Sequence, residues 1–493
     1  MKHFIHFLLA MLCCVNMYSQ NANCQFIKPT FVNGKDGGLG TFTPETNPKN
    51  PRTTDVTKKR IIFWIHGLGG DSDSWARAAQ ATAYQSPGQQ IPGYPPRKAE
   101  CLTPAYSQFS LNGAGYNLHT KLVTMGDPIC ATNHIEDKTI NFLIAHSQGG
   151  LVSRSADKYY ADQGIEDQRR FGGIVTVGTP HLGAQILNNA DMHAPLVNEG
   201  CDAVSAGPIA AEVYDVTDVP FFGLGIYRRL SEVGTKVCNF FTDQILPIML
   251  EGQQVPITSD FRVGAAPLNE LNGYESTLPK VAFYGVENDP VVWREFYSFY
   301  YKKPNEFPAF TADEDNVLFN QVTGLINLYN DNYLMWKQRG DWHDAHWRPN
   351  KAKACWDIAN KYLKGKQWLN NANEKFLAVI GAISQQTQTI TTGTCECSNG
   401  ATSFTFPIND ISQCSMAGAN CFAQTSTTVV TNTVIKPNDG TVLAESAAGF
   451  SGAVTEEMTG SNHQQMRNDS NLKAKLLKLF SGGYGDYFKT EAQ

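Results

Sequence analysis

Four short apolar runs mark the first part of the chain: Ile61 to Ile65, Ile140 to Ile144, Gly173 to Val177 and Lys280 to Gly285. Runs of this length, apolar almost without interruption, suit strands covered on both faces. Between them the apolar positions return at helical spacing. Leu151, Val152, Ala156 and Tyr159 trace one such stripe, and a helix is expected around residues 112 to 125. Strands separated by helices predict an α/β fold, a mostly parallel sheet with helices on both faces.

Later stretches interrupt this rhythm. Residues 190–275 hold apolar and glycine-rich pieces with two cysteines. Residues 297–425 carry helical patterns over 315–338 and 350–384, then a polar, cysteine-dense segment. We expect a leader over 1–20, core over 21–189, a cap insertion over 190–275 and a core strand within 276–296. A helical, cysteine-rich insertion over 297–425 and the last part of the core over 426–493 complete the expected order. Five of the eight tryptophans fall in the second insertion: Trp336, Trp342, Trp347, Trp356 and Trp368. The simplest expectation is a helical cap with these indoles as its core. The alternative is that some face a lipid or acyl chain.

At 493 residues, 42% hydrophobic and 17% charged, the chain has ample material for a core. A net charge of −6 and the lack of any long basic run argue against a nucleic-acid partner. Lys2, the apolar stretch Phe4 to Val15 and Ser19 before Gln20 have the form of a secretory signal, so a secreted, periplasmic or cell-surface location is expected. Leu12 is too bulky for a lipoprotein site at Cys13. Ten cysteines follow the leader, and an even number in an exported chain favours disulfides. Cys395, Cys397, Cys414 and Cys421 suggest a small stapled unit; a zinc site there lacks both good spacing and a nearby histidine.

The second apolar run ends in Ala145-His146-Ser147-Gln148-Gly149-Gly150. Small residues two before and two after a serine, between a strand and a helix, are what a nucleophile elbow demands. Ser147 is the candidate nucleophile, and Ala145 replaces the more usual glycine with the smallest possible side chain. Such a site also needs N–H donors for negative charge on the substrate oxygen. Gln148 and Leu68, the latter in His66-Gly67-Leu68-Gly69-Gly70, fill the two places. A serine further needs a histidine base held by a carboxylate. Two pairs follow it in the required order: Asp439 with His463, and Asp289 with His343 or His346. Spacing alone does not choose between them.

Together with Gly178-Thr179-Pro180-His181-Leu182-Gly183, Asn438-Asp439-Gly440-Thr441-Val442 and Ser461-Asn462-His463, these strings resemble secreted bacterial lipases of the α/β-hydrolase superfamily. They are also similar to lecithin–cholesterol acyltransferase-like and inositol-deacylase-like enzymes. The resemblance covers residues 60–185 and 435–480. It implies an α/β-hydrolase fold with large helical cap insertions and selects Asp439 and His463 as the partners of Ser147. His66, His146 and His181 are then supporting residues. Many such lipases carry a calcium-binding aspartate two residues after the histidine; Gln465 stands here, so neither metal nor cofactor is expected. The implied activity is cleavage of carboxylic esters, with a lipid or other acyl ester as substrate and a lipid interface as a further contact. Acyl transfer, amide cleavage and a non-catalytic binding role on the same scaffold remain alternatives.

Overall fold

The computed structural model describes residues 60–68, 70, 72–75, 78, 99–102, 104, 106, 108–124, 141–213, 238–239, 256–300, 312–398, 400, 402–409, 411–417, 420–467 and 469–488. The expected leader, Cys24 and Cys130 lie outside them, as does much of the 190–275 insertion.

Six strands form the main sheet: β1 (Arg60–Ile65), β2 (Ala99–Leu102), β3 (Phe142–His146), β4 (Ile174–Val177), β5 (Lys280–Val286) and, late in the chain, β9 (Val454–Thr459). Their order is β2-β1-β3-β4-β5-β9, and every neighbouring pair is parallel. Alternation along each strand divides the apolar side chains between two cores. Phe63, Ile65, Leu143 and Ala145 meet helices α1 (Leu111–Thr124) and α2 (Gln148–Asp162) on one face. Ile62, Trp64, Phe142 and Ile144 join the other core. Tyr160 takes the buried place expected of Tyr159, which is only partly buried.

Between β4 and β9 the chain adds α3 (His193–Val213), α4 (Ala266–Asn272), α5 (Val291–Tyr300), α6 (Ala312–Ala345) and α7 (Pro349–Val379), and α8 (Ser470–Phe480) closes the second face. In α8, Leu472, Leu476, Leu479 and Phe480 are buried, each contributing about 1.5–3 kcal/mol. Asp469 caps its start by accepting from the Leu472 N–H at 2.8 Å. α6 and α7 form a long hairpin in which Gly365 lets Tyr329 approach; a Cβ there would sit 2.4 Å from the ring. The helical pattern expected to reach 384 stops at Val379, because Gly381 turns the chain with φ 75° before a strand begins at Ile383. The five tryptophans divide. Trp336 and Trp368 are buried, Trp356 is partly buried, and Trp342 and Trp347 are 50% and 93% exposed.

Residues 382–436 are a separate compact unit. β6 (Ile383–Ser398) lies between β7 (Ser403–Ile408) and β8 (Cys421–Ile435) in an antiparallel sheet. The expected boundary at residue 426 therefore falls inside β8, which pairs with β6 along its whole length. Disulfides Cys395–Cys414 and Cys397–Cys421 staple this unit. The sulfurs of Cys395, Cys397 and Cys421 lie within 4.8 Å of one another, yet each is committed to a disulfide and offers no thiolate to zinc. A third bridge, Cys201–Cys238, ties α3 to residue 238. Among the described residues, no helix is long and apolar enough to cross a membrane.

Candidate active site

The carboxyl ends of β1, β3, β4, β5 and β9 lead directly into the strings singled out above. This is the edge where open parallel sheets hold their ligands. Ser147 follows β3 with φ 52° and ψ −130°, a backbone state that costs a non-glycine residue about 1–3 kcal/mol. The surroundings enforce it. The Ser147 N–H donates to the Val177 carbonyl at 2.9 Å, and Gly150 N–H returns to the Ser147 carbonyl at 3.1 Å. A Cβ on Gly149 would sit 2.4 Å from the His66 carbonyl oxygen, so only glycine lets α2 start this close to β1.

His463, in the loop after β9, faces Ser147: its Nε2 lies 2.9 Å from Ser147 Oγ. Its Nδ1 lies 2.8 Å from Asp439 Oδ2, an arrangement that places the ring proton on Nδ1 and leaves Nε2 to accept from the hydroxyl. The other Asp439 oxygen accepts from the Thr441 and Val442 N–H groups at 3.0 and 2.7 Å. A further bond runs from the His463 N–H to the Asp439 carbonyl at 2.7 Å. Although 150 residues separate Asp439 from Asp289 at the end of β5, its loop returns to that strand: the Glu287 N–H donates to Asn438 O at 2.7 Å.

The rival residues sit elsewhere. Asp289 is exposed and accepts from Asn373 Nδ2 at 3.3 Å. His346 turns Nδ1 toward the Trp342 carbonyl at 2.7 Å, and His343 packs edge-on against Trp342. Neither of these histidines is at Ser147; His463 is.

The two expected N–H donors belong to segments that border the nucleophile. Gln148 opens α2, where the first N–H groups have no intrahelical acceptor. Leu68 is partly exposed on the loop after β1, and that loop runs against the nucleophile, since a Cβ on Gly67 would lie 3.0 Å from Ser147 Cβ. Tyr106, which no motif announces, braces both. Its hydroxyl donates to the His66 carbonyl at 2.7 Å and accepts from Gln148 Nε2 at 3.3 Å, while its ring stacks on His66. Burial pushes this phenol far up, so it remains a neutral donor.

The flanking histidines hold the frame. His146 Nε2 donates to the His463 carbonyl at 2.9 Å, and burial, reinforced by His463 and Arg467, pulls its pKa well below the usual histidine range. His181 is likewise kept neutral by burial; it accepts from Arg154 at 3.1 Å and donates to Thr176 Oγ1 at 3.0 Å.

A second unannounced residue is Glu295 on α5, buried behind the Asp439 loop. Burial, then the charges of Glu287 and Asp439, raise its pKa well above 4.5, against a smaller opposing effect from the His463 N–H. Such a shift favours the neutral carboxyl in the native state. A raised native pKa means that stability is fullest in acid and falls as pH climbs from the unfolded value toward the native one. Glu295→Gln, neutral throughout, is expected to melt with the parent near about pH 4 and above it at about pH 8. Thermal unfolding at the two pH values checks this, and a variant that gains nothing at the higher pH contradicts a protonated Glu295.

Residues 56–207 match the profile of a family described as "Putative serine esterase (DUF676)". That span holds Leu68, Ser147 and Gln148 but ends before Asp439 and His463. No curated protein matches the chain. Among solved structures it is similar to the phospholipase PlaB from Legionella pneumophila, at 11% identity and TM-score 0.27, covering 48% of this chain and 41% of that one. The chain thus spans less than half the length of PlaB. It is also similar to the mature lipase BlEst2 from Bacillus licheniformis, at 14% identity and TM-score 0.25, over 52% of this chain and 77% of that one. A thermophilic esterase from Thermogutta terrifontis aligns at 15% identity and TM-score 0.23, over 53% and 80%. The chain has an α/β-hydrolase fold, and the portion bearing its strand-to-helix elbow matches a serine esterase family.

Proposed function

We propose that this protein is an exported serine hydrolase that cleaves carboxylic esters of lipid or other long acyl groups through an acyl-enzyme on Ser147. The observation that carries the reading is the continuous path from Ser147 Oγ to His463 Nε2 at 2.9 Å and from His463 Nδ1 to Asp439 Oδ2 at 2.8 Å. In the first half, Oγ bonds to the acyl carbon as its proton passes to Nε2. Asp439 stabilises the imidazolium, and the Leu68 and Gln148 N–H groups receive the oxyanion. Collapse breaks the ester C–O bond, and the leaving alcohol takes the proton from Nε2. Water repeats the sequence on the acyl-enzyme: its hydroxyl oxygen joins the acyl carbon, Oγ leaves and regains a proton, and the carboxylic acid departs.

The acyl preference is supported by apolar side chains on the same loops, Leu68 partly exposed and Leu182 45% exposed. Export is supported by the three disulfides among the described residues, since disulfides persist in oxidising compartments. A panel of p-nitrophenyl esters from acetate to palmitate tests the substrate class. Turnover that rises with chain length is expected; hydrolysis confined to acetate would exclude the long-acyl reading. Release of amine from matched anilides, or of transesterified product in added alcohol, would point instead to an amidase or an acyltransferase.

A further inference from the structure

The turn joining α6 to α7 breaks three local rules at once. Trp347 has φ 57°. The Arg348 N–H reaches back to the His343 carbonyl at 2.9 Å and the Trp347 N–H to Asp344 O at 3.0 Å, the paired bonds of a helix stop whose left-handed residue is normally glycine. A bulky side chain is disfavoured in that conformation. The indole gains nothing from packing to offset this, being 93% exposed. Finally, the beginning of α7 carries Arg348, Lys351 and Lys353 with no acidic residue in its first turn, although a helix N-terminus favours anions there.

A second indole joins the first. Trp342 is 50% exposed, with His346 stacked on its ring at 4.1 Å and the Arg348 guanidinium 5.7 Å from its centre. Of the nearby carboxylates, Asp341 is held by Lys337 and the Trp356 indole N–H, while Asp344 and Asp357 are the other acidic residues close to the cations in the chain. Exposed tryptophans beside cations and the positive end of a helix, in a chain whose net charge is −6, match one environment. That environment is an anionic lipid surface, where indoles settle at headgroup depth and basic side chains meet phosphates.

We propose that the α6–α7 tip docks the protein on anionic membranes by inserting Trp347 and Trp342 at the headgroup level. Charge complementarity favours lipid over a protein partner, and the docking is independent of catalysis at Ser147.

The full chain carrying Ser147→Ala, which prevents turnover of vesicle lipid, is sedimented with phosphatidylcholine vesicles with and without phosphatidylglycerol. Binding is expected to the anionic vesicles and to be at least tenfold weaker to the neutral ones. Adding Trp347→Gly is the decisive variant, because glycine suits the left-handed turn and the fold keeps or raises its melting temperature. Vesicle affinity should nevertheless fall at least tenfold. Arg348→Glu with Lys351→Glu should abolish the preference for phosphatidylglycerol. No binding to anionic vesicles, equal binding to both kinds, or full affinity in the Trp347→Gly protein would each overturn the proposal. In the otherwise native enzyme, Trp347→Gly should leave hydrolysis of a soluble short-chain ester unchanged, so loss of docking and loss of catalysis are separately visible.

Discussion

Ser147→Ala is expected to lower kcat for ester hydrolysis by about 10⁴-fold or more, and to abolish covalent capture by a fluorophosphonate probe. The magnitude follows from what the hydroxyl alone would supply. Alanine leaves the His463–Asp439 pair and the Leu68 and Gln148 N–H groups intact, but no atom remains to bond to the acyl carbon. Only transition-state binding by the remaining groups persists. Folding should be nearly unaffected: both hydrogen bonds of Ser147 to neighbouring backbone use its main chain, and the side-chain bond to His463 is the only one lost. Steady-state kinetics with mass spectrometry of the labelled protein checks both halves. Near-parental turnover in the alanine variant would remove Ser147 from the mechanism, and a parent that neither labels nor turns over esters would favour a binding protein.

Asp439→Asn should cost nearly as much, roughly 10⁴-fold in kcat, without loss of structure. The surroundings dictate how the amide settles. The Thr441 and Val442 N–H groups, at 3.0 and 2.7 Å, both point at Oδ1, so an asparagine must place its carbonyl oxygen there. Its NH₂ then faces His463 Nδ1 and donates where the carboxylate accepted. The imidazole responds by carrying its proton on Nε2, which opposes the Ser147 hydroxyl instead of accepting from it. Asp289→Asn supplies the contrast, since that carboxylate is exposed and touches Asn373; kcat should change less than twofold. The reverse ranking would transfer the acid role to Asp289.

Several features were readable before any coordinates. The apolar runs at 61–65 and 173–177 became β1 and β4, because a strand covered on both faces leaves no room for polar side chains. The small residues around Ser147 signalled the elbow because a tight turn excludes side chains locally, and Gly149 meets that requirement against the His66 carbonyl. Other features left no such mark. Tyr106 and Glu295 act through neighbours far away in the chain, and single residues of their types carry no spacing signal. The expected boundary at residue 426 falls inside β8 because a threonine-rich run carries the same pattern whichever sheet it joins.

Local steric and periodic constraints therefore wrote the apolar runs, the elbow and the stapled cysteine cluster at 395–421 into the chain. Which histidine meets Ser147, which tryptophans are interior and which sulfurs pair were settled by long-range packing. Two acid–histidine pairs had equivalent spacing, and it was the return of the 437–443 loop to the end of β5, with β9 alongside, that carried His463 rather than His343 to the nucleophile. Spacing along a chain limits reach; burial and backbone hydrogen bonding choose among the partners within it.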